Sequence, residues 1–268
     1  GVGKTCTALQ IAENFIDVFA KRILILLPSK FSKKGSKGED MNIFKNELFN
    51  ISKLNPETKK MNSCVANRLN AEIDFSNQDD LMAKKEQYIS EKYEFIGYTS
   101  LPIKIRQIET KMKTYTSNKD ESRLMFYNKL RNTYSNRVII MDEVHHIKTN
   151  EKELKELTQN LKDIMYACVN VRLIMLSATP MFDNANEIKL LMDILMTNDK
   201  RKPHNLDDMI IFEDANTKVT KEFTNQLKYF SKNYVSYMRG ENPYTFPLRL
   251  YPNVNNDANI LNMNDYPT

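Results

Sequence analysis

The sequence contains few cysteines and no long apolar run. Its three cysteines, Cys6, Cys64 and Cys168, are odd in number, far apart and not arranged in CxxC pairs. This spacing predicts neither a disulfide framework nor a zinc site, and it favours a reducing, intracellular location. No apolar run approaches the ~18 residues that a membrane span needs, and no signal peptide is visible.

The charge balance of the sequence excludes few classes of function. Lys and Arg number 39 against 34 Asp and Glu, which gives a formal net charge of +5. Such a mild basic excess is compatible with a nucleic-acid partner but is weak evidence for one. No internal repeat is apparent, and the length of 268 residues favours one large domain or two small ones.

The most informative stretch is RVIIMDEVHHIK, from Arg137 to Lys148. Its apolar run predicts a strand that is buried on both faces, as in a parallel sheet covered by helices. Asp142 and Glu143 follow at the carboxyl end of this strand, and ligands bind at that edge of an open α/β sheet. The two acids are therefore predicted to face a site.

The first five residues, GVGKT, match the end of the phosphate-binding loop G-x-x-x-x-G-K-[ST]. The first glycine of that loop would precede residue 1, which predicts that the chain is a fragment of a longer protein. Apolar residues at helical spacing continue to Phe19, so a helix is predicted to begin at Lys4 and Thr5. Its amino end would hold the β- and γ-phosphates of a nucleotide, with Lys4 neutralising charge and Thr5 offering its hydroxyl to Mg²⁺. The loop and the acids together suggest an NTPase.

The remaining pattern alternates strands and helices. Short apolar runs predict further strands over Ile23–Leu27, Tyr93–Tyr98 and Arg172–Leu176. Apolar residues at helical spacing predict helices over residues 41–52, 122–131, 154–168, 185–196 and 220–230. This order predicts an α/β fold, a mostly parallel sheet with helices on both faces.

Several polar segments allow two interpretations. Ser29–Asp40 is rich in lysine and is predicted to be a solvated loop, with a phosphate-backbone contact as the alternative. Thr99 and Ser100 can touch a backbone phosphate or cap the next helix, and the sequence does not choose. Residues 104–136 interleave basic and aromatic side chains, which suits nucleic acid, although the polar face of a surface helix is the commoner explanation.

Four short motifs occur in the order found in superfamily 2 helicases. They are GVGKT at 1–5, LLPSK at 26–30, DEVHH at 142–146 and SATP at 177–180. The chain therefore resembles the first RecA-like domain of a superfamily 2 DExH helicase or translocase. The resemblance implies a RecA-like P-loop NTPase domain over residues 1–250, followed by a linker over residues 251–268 toward a second RecA-like domain.

Two longer segments resemble particular branches of that superfamily. Residues 177–195 resemble Swi/Snf-type translocases, and residues 235–252 resemble the end of the first ATPase domain in giant-virus and poxvirus helicases such as nucleoside triphosphatase I and the early transcription factor ATPase subunit. These resemblances imply an ATP-dependent motor of viral transcription, acting on duplex DNA in preference to RNA, in the host cytoplasm or the virion. The alternative is an assembly subunit of a transcription complex that uses ATP as a switch with little turnover.

The resemblance also implies roles for individual residues. Glu143 would deprotonate the attacking water, and Asp142 would hold Mg²⁺ together with Thr5. The residues that would bind ATP are Gly1, Val2, Gly3, Lys4, Thr5 and Asp142. The residues that would couple the nucleotide to the second domain are His145, Ser177, Ala178 and Thr179. The residues that would touch the sugar-phosphate backbone are Ser29, Lys30, Tyr98, Thr99 and Ser100.

Two further expectations limit this interpretation. The pair His145-His146 does not predict a zinc site, because there is no HExxH motif and the only other histidine is His204. No run resembling QxxGRxxR follows residue 180, so the arginine-bearing motif of a second domain is missing from the sequence. Arginine fingers contribute about 10³–10⁵ in rate in comparable NTPases, so these residues alone are expected to hydrolyse ATP poorly.

Overall fold

The computed structural model describes residues 3–28, 39–76, 80–147, 152–180, 187–201 and 220–237. The chain divides into two compact units, Gly1–Phe230 and Ser231–Thr268. Of the second unit, residues 231–237 are described. The expected linker over residues 251–268 thus lies outside the described part of the chain.

A parallel four-stranded sheet forms the centre of the first unit. Its strands are β1 (Ile23–Leu27), β2 (Tyr93–Gly97), β3 (Arg137–Met141) and β4 (Val171–Met175). They lie in the order β2-β1-β3-β4, and every pairing between neighbours is parallel. The four predicted strands are therefore confirmed, with β4 beginning and ending one residue earlier than the apolar run suggested.

Helices cover both faces of the sheet. Their bounds are α1 (Lys4–Glu13), α2 (Glu39–Leu48), α3 (Ala66–Glu72), α4 (Leu81–Lys92), α5 (Ser100–Tyr115), α6 (Lys119–Tyr134), α7 (Lys152–Ala167), α8 (Glu187–Asn198) and α9 (Lys221–Ser231). Apolar residues of α1 to α4 pack on one face, and those of α5 to α8 pack on the other. This arrangement confirms the predicted α/β class.

The alternation of side chains along the central strands explains why they are apolar throughout. Leu24 and Leu26 of β1 belong to the core on the α5–α8 side, whereas Ile25 belongs to the core on the α1–α4 side. In β3, Ile139 and Ile140 divide between the two cores in the same way. Both strands are buried along their whole length, as the apolar run before Asp142 predicted.

Helices α3 and α4 were not predicted, and α1 and α5 differ from the sequence prediction for local reasons. Helix α1 ends at Glu13, because the chain tightens into turns in which Phe15 donates its amide to the Ala12 carbonyl at 2.9 Å. Helix α5 is not among the predicted helices, and it contains Pro102, a residue that usually interrupts a helix. Pro102 lies in the first turn of α5, where a helix needs no amide donor at that position.

The structure contradicts the prediction that no disulfide forms. Cys6 in α1 and Cys64 before α3 are bonded, with their Cα atoms 5.2 Å apart. These residues are separated by 58 positions, and only the packing of α1 beside the segment that leads into α3 brings them together. Cys168 is a buried free thiol. The count and spacing of the cysteines could not reveal this pairing.

Candidate nucleotide and nucleic-acid site

The phosphate-binding end of α1 begins at a glycine that the backbone requires. Gly3 has φ 74° and ψ 13°, a left-handed conformation that is strained for other residues. Its carbonyl accepts the amide of Thr7 at 2.9 Å and so starts the helix. The first N–H groups of any α-helix have no partner within the helix, and with the helix dipole they favour an anion. Lys4 and Thr5, half-buried, occupy this first turn.

The acid pair follows β3 in a tightly held turn. Asp142 donates its amide to the Leu26 carbonyl at 3.0 Å, and Val144 donates to the Leu176 carbonyl at 3.0 Å. Between them, Glu143 has φ 50° and ψ 51°. A left-handed conformation costs a residue with a side chain about 1–3 kcal/mol, so the surrounding contacts must hold Glu143 in place. Such strain is typical of functional sites.

The structure brings the base candidate and the phosphate-loop lysine together. Lys4 Nζ lies 3.8 Å from Glu143 Oε1, and both side chains are about 30 % exposed. The other oxygen, Oε2, is buried and has no hydrogen-bond partner among the described residues. Glu143 Oε1 thus faces the amino end of α1, where Lys4 lies.

His145 and Ser177 join the acid turn to the end of β4. His145 Nδ1 lies 3.1 Å from Ser177 Oγ, within hydrogen-bond reach. The same nitrogen lies 3.1 Å from Glu143 Oε2, a contact without hydrogen-bond geometry. Ser177 Oγ also accepts the amide of Thr179 at 3.1 Å, while Ala178 and Thr179 are exposed. Three of the four predicted coupling residues therefore form one connected group.

Tyr98 does not lie where the family resemblance placed it. The residue is only 2 % exposed, so in this structure its ring lies in the core and not on the surface. Its hydroxyl instead donates a hydrogen bond to the Asp142 carbonyl at 2.5 Å. Thr99 and Ser100 are half-buried at the start of α5, and Thr99 makes no side-chain capping bond to the helix. Of this segment, these two hydroxyls remain candidates for nucleic acid.

Other predicted site residues lie outside the described part of the chain. They are Gly1, Val2, Ser29 and Lys30. Across the described ranges, no group of three or more His, Cys, Asp or Glu side chains could hold a metal ion by itself. A Mg²⁺ ion at Thr5 and Asp142 would therefore depend on phosphate oxygens and water for its other ligands.

Much of the basic charge of α5 is used within the protein. Lys104 pairs with Glu94 at 3.2 Å, Arg106 with Glu156 at 2.5 Å, and Lys113 with Glu109 at 2.6 Å within the helix. These pairs favour the surface-helix interpretation of residues 104–136. The helix itself packs against α6 and α7.

The parallel sheet, the end of a phosphate loop and the strained acid turn define a P-loop NTPase domain of the RecA-like type. The family model described as type III restriction enzyme, res subunit (ResIII), matches residues 1–182, which is more than half of the chain. The chain belongs to this family and is the first RecA-like domain of a superfamily 2 helicase.

Three viral proteins are similar to most of the chain. One, named "Putative ATP-dependent RNA helicase R563", from Acanthamoeba polyphaga mimivirus, is 31% identical over 92% of this chain and 37% of its own length. A second mimivirus protein, "Putative ATP-dependent RNA helicase L377", is 24% identical over 93% of this chain and 21% of its own. "Putative helicase 087L" of Invertebrate iridescent virus 3 is 22% identical over 78% of this chain and 18% of its own.

The chain thus spans little more than a third of the length of R563 and a smaller share of the other two. No solved structure matches it. Within the described residues, no helix is both long and apolar enough to cross a membrane.

Proposed function

We propose that this domain binds ATP and hydrolyses it for a nucleic-acid helicase or translocase, together with a second RecA-like domain. The observation that carries the proposal is the placement of Glu143 in a strained turn with Oε1 3.8 Å from Lys4 Nζ. A domain that served only as a scaffold would not need to hold a carboxylate in a strained turn beside a phosphate loop.

Each residue has a role that its position supports. ATP would supply the phosphoryl group that passes to water. Lys4 and the amide groups that begin α1 would neutralise the β- and γ-phosphates, and Thr5 and Asp142 would hold Mg²⁺. Glu143 would accept the proton of the attacking water. The change from bound ATP to its products would be transmitted to the second domain by His145, Ser177 and Thr179. An arginine of that second domain would complete the ATP site.

The nucleic-acid track would lie along the carboxyl ends of the strands. Thr99 and Ser100 follow β2 there, and Ser29 and Lys30 follow β1 in the sequence. Contacts from these groups to a phosphate backbone would be independent of base sequence and sensitive to salt. Two relatives are named RNA helicases, whereas residues 177–195 resemble translocases of duplex DNA. As a member of a viral branch, the protein would act in the host cytoplasm or in the virion.

The deciding experiment is steady-state ATP hydrolysis by the full-length protein at one fixed salt concentration. It compares duplex DNA, single-stranded DNA and RNA, and it repeats each with Glu143→Gln. We expect one nucleic acid to stimulate turnover strongly, and the variant to lower kcat by on the order of 10²–10⁴-fold while nucleotide still binds.

Glu57→Gln is the matched control, because Glu57 is an exposed carboxylate in a turn between α2 and α3. It should hydrolyse ATP like the wild type. Background turnover with every nucleic acid, combined with retained ATP binding, would contradict the motor and favour the second candidate, an assembly subunit that uses ATP as a switch. Intact Lys4, Asp142 and Glu143 argue against that candidate, because binding alone does not require a base.

A further inference from the structure

Tyr98 connects three of the four strands, β2, β1 and β3, at the carboxyl edge of the sheet. It follows β2, and its amide donates to the Leu27 carbonyl of β1 at 2.8 Å. Its hydroxyl then reaches past β1 to the residue after β3, where it donates to the Asp142 carbonyl at 2.5 Å. The order β2-β1-β3 makes this reach necessary. One buried side chain therefore links the segment that begins α5 to the acid turn.

The Asp142 carbonyl belongs to the peptide that sets the backbone of Glu143. The amide of Asp142 is held by Leu26, and the amide of Val144 is held by Leu176. The peptide plane between Asp142 and Glu143 can turn between these two fixed points, and its rotation changes φ of Glu143. A hydrogen bond to the carbonyl of that plane opposes the rotation. Tyr98 thus supports the strained φ of 50° that Glu143 adopts.

The geometry of the contact makes the hydroxyl the donor. The hydroxyl of Tyr98 lies 2.5 Å from the Asp142 carbonyl oxygen. A carbonyl oxygen can only accept, so the phenol O–H supplies the hydrogen.

Tyr98 also adjoins the two hydroxyls that remain candidates for nucleic acid. Thr99 and Ser100 follow it directly, and Ser100 is the first residue of α5. A ligand that binds at the start of α5 would therefore act on the residues directly beside Tyr98. The hydroxyl of Tyr98 would transmit a displacement there to the peptide beside Glu143.

We propose that Tyr98 is a positioning residue that fixes the acid turn through the Asp142 carbonyl and passes changes at Thr99 and Ser100 to Glu143. This inference rests on the proposed function, because it gives the nucleic-acid contact a route to the base. A residue that only fills the core would not require its hydroxyl, so the role of the oxygen can be tested by itself.

The test is Tyr98→Phe in the full-length protein, which removes one oxygen and keeps the ring in the core. The matched control is Tyr134→Phe. Tyr134 is also 2 % exposed and belongs to the same core, but it lies in α6 and ends that helix just before β3 begins. The melting temperature of each variant establishes that it folds.

Amide hydrogen exchange is the first readout, because it needs no catalysis. We expect the amides of residues 142–147 to exchange about tenfold faster in Tyr98→Phe, as the loss of one hydrogen bond implies. Tyr134→Phe should exchange in this turn like the wild type. Nucleic acid should change exchange in the turn of the wild type, and this response should disappear in Tyr98→Phe. Unchanged exchange in Tyr98→Phe, or a response to nucleic acid equal to that of the wild type, would overturn the proposal.

Kinetics are the second readout. We expect Tyr98→Phe to lower the kcat for ATP with saturating nucleic acid by about tenfold and to leave the KM for ATP nearly unchanged. A kcat equal to that of the wild type would overturn the positioning role. If the wild type itself hydrolyses no ATP with any nucleic acid, the proposed function fails, and hydrogen exchange still decides whether Tyr98 holds the turn.

Discussion

His145 Nδ1 lies 3.1 Å from Ser177 Oγ, so a side-chain contact joins the turn after β3 to the residues after β4. The same nitrogen lies 3.1 Å from Glu143 Oε2, and Glu143 Oε1 lies 3.8 Å from Lys4 Nζ. The phosphate-loop helix, the acid turn and the SATP segment therefore form one continuous chain of contacts. A change in Glu143 when nucleotide binds can reach Ser177 through a single residue.

Ser177→Ala should uncouple nucleic acid from hydrolysis. The change removes the oxygen that contacts His145 and accepts the Thr179 amide. His145 and Thr179 therefore lose their common partner. We expect the stimulation of ATP turnover by nucleic acid to fall, with little change in the KM for ATP, and the free energy of unfolding to fall by about 1 kcal/mol. Ser90→Ala is the control, since the Ser90 hydroxyl donates to the Gln87 carbonyl within its own helix, α4. Undiminished stimulation in Ser177→Ala would contradict the coupling role.

Lys4→Ala should weaken nucleotide binding. The ammonium group lies at the amino end of α1, where it would form charge-assisted hydrogen bonds with phosphate oxygens. Loss of such a bond costs about 1.5–3 kcal/mol, so the Kd of a fluorescent ATP analogue should rise by at least tenfold. Lys113→Ala removes an exposed lysine in the last turn of α5 and should bind the analogue like the wild type. Equal affinities of Lys4→Ala and the wild type would place the nucleotide elsewhere.

Reduction of the disulfide should destabilise the domain. The bond joins Cys6 to Cys64 across 58 positions and so restricts the unfolded chain strongly. A reducing agent should lower the free energy of unfolding in urea by about 2–4 kcal/mol. Cys64→Ser should show the lower value with and without the reducing agent. If the wild type is equally stable in both conditions, the two thiols are unbonded in solution.

The pair of Glu94 and Arg137 should make the free energy of unfolding fall as the pH drops below about 4.5. Burial raises the pKa of Glu94, but the hydrogen bond and charge of Arg137 together with Lys104 outweigh burial and lower it from its usual 4.5. A lowered pKa means that the unfolded chain binds the proton more tightly, so the pair stabilises the fold above pH 4.5 and loses this effect as the pH falls through the folded pKa.

Glu94→Gln tests this pair directly. It leaves the Arg137 guanidinium, whose side chain is 6 % exposed, without its carboxylate partner. We expect a loss of about 3 kcal/mol at neutral pH, and a smaller loss of stability on acidification than in the wild type. Urea unfolding at pH 7 and pH 4 measures both effects, with Glu57→Gln as the exposed control. An acid dependence identical to that of the wild type would show that the pair does not cause it.

Some elements could be predicted because they depend only on neighbouring residues. The apolar run before Asp142 predicted β3, since a strand buried on both faces has no polar alternation. Helix α5 was missed, because Pro102 has two local meanings and the sequence does not distinguish them. Asn118 is a capping residue that marks the start of α6 in the sequence. Its side chain accepts the amides of Asp120 and Glu121, and α6 begins directly after it, three residues before the predicted start.

The sequence by itself determined the strands, the order of the motifs and the family, because these depend on periodicity and spacing along the chain. Only the tertiary structure decided that the Tyr98 hydroxyl donates to the Asp142 carbonyl, and that Cys6 bonds to Cys64. Their partners lie 44 and 58 positions away, and local pattern carries no information about side chains that meet at such separations. The order of the strands brings Tyr98 to Asp142, and the packing of α1 beside the segment before α3 brings Cys6 to Cys64.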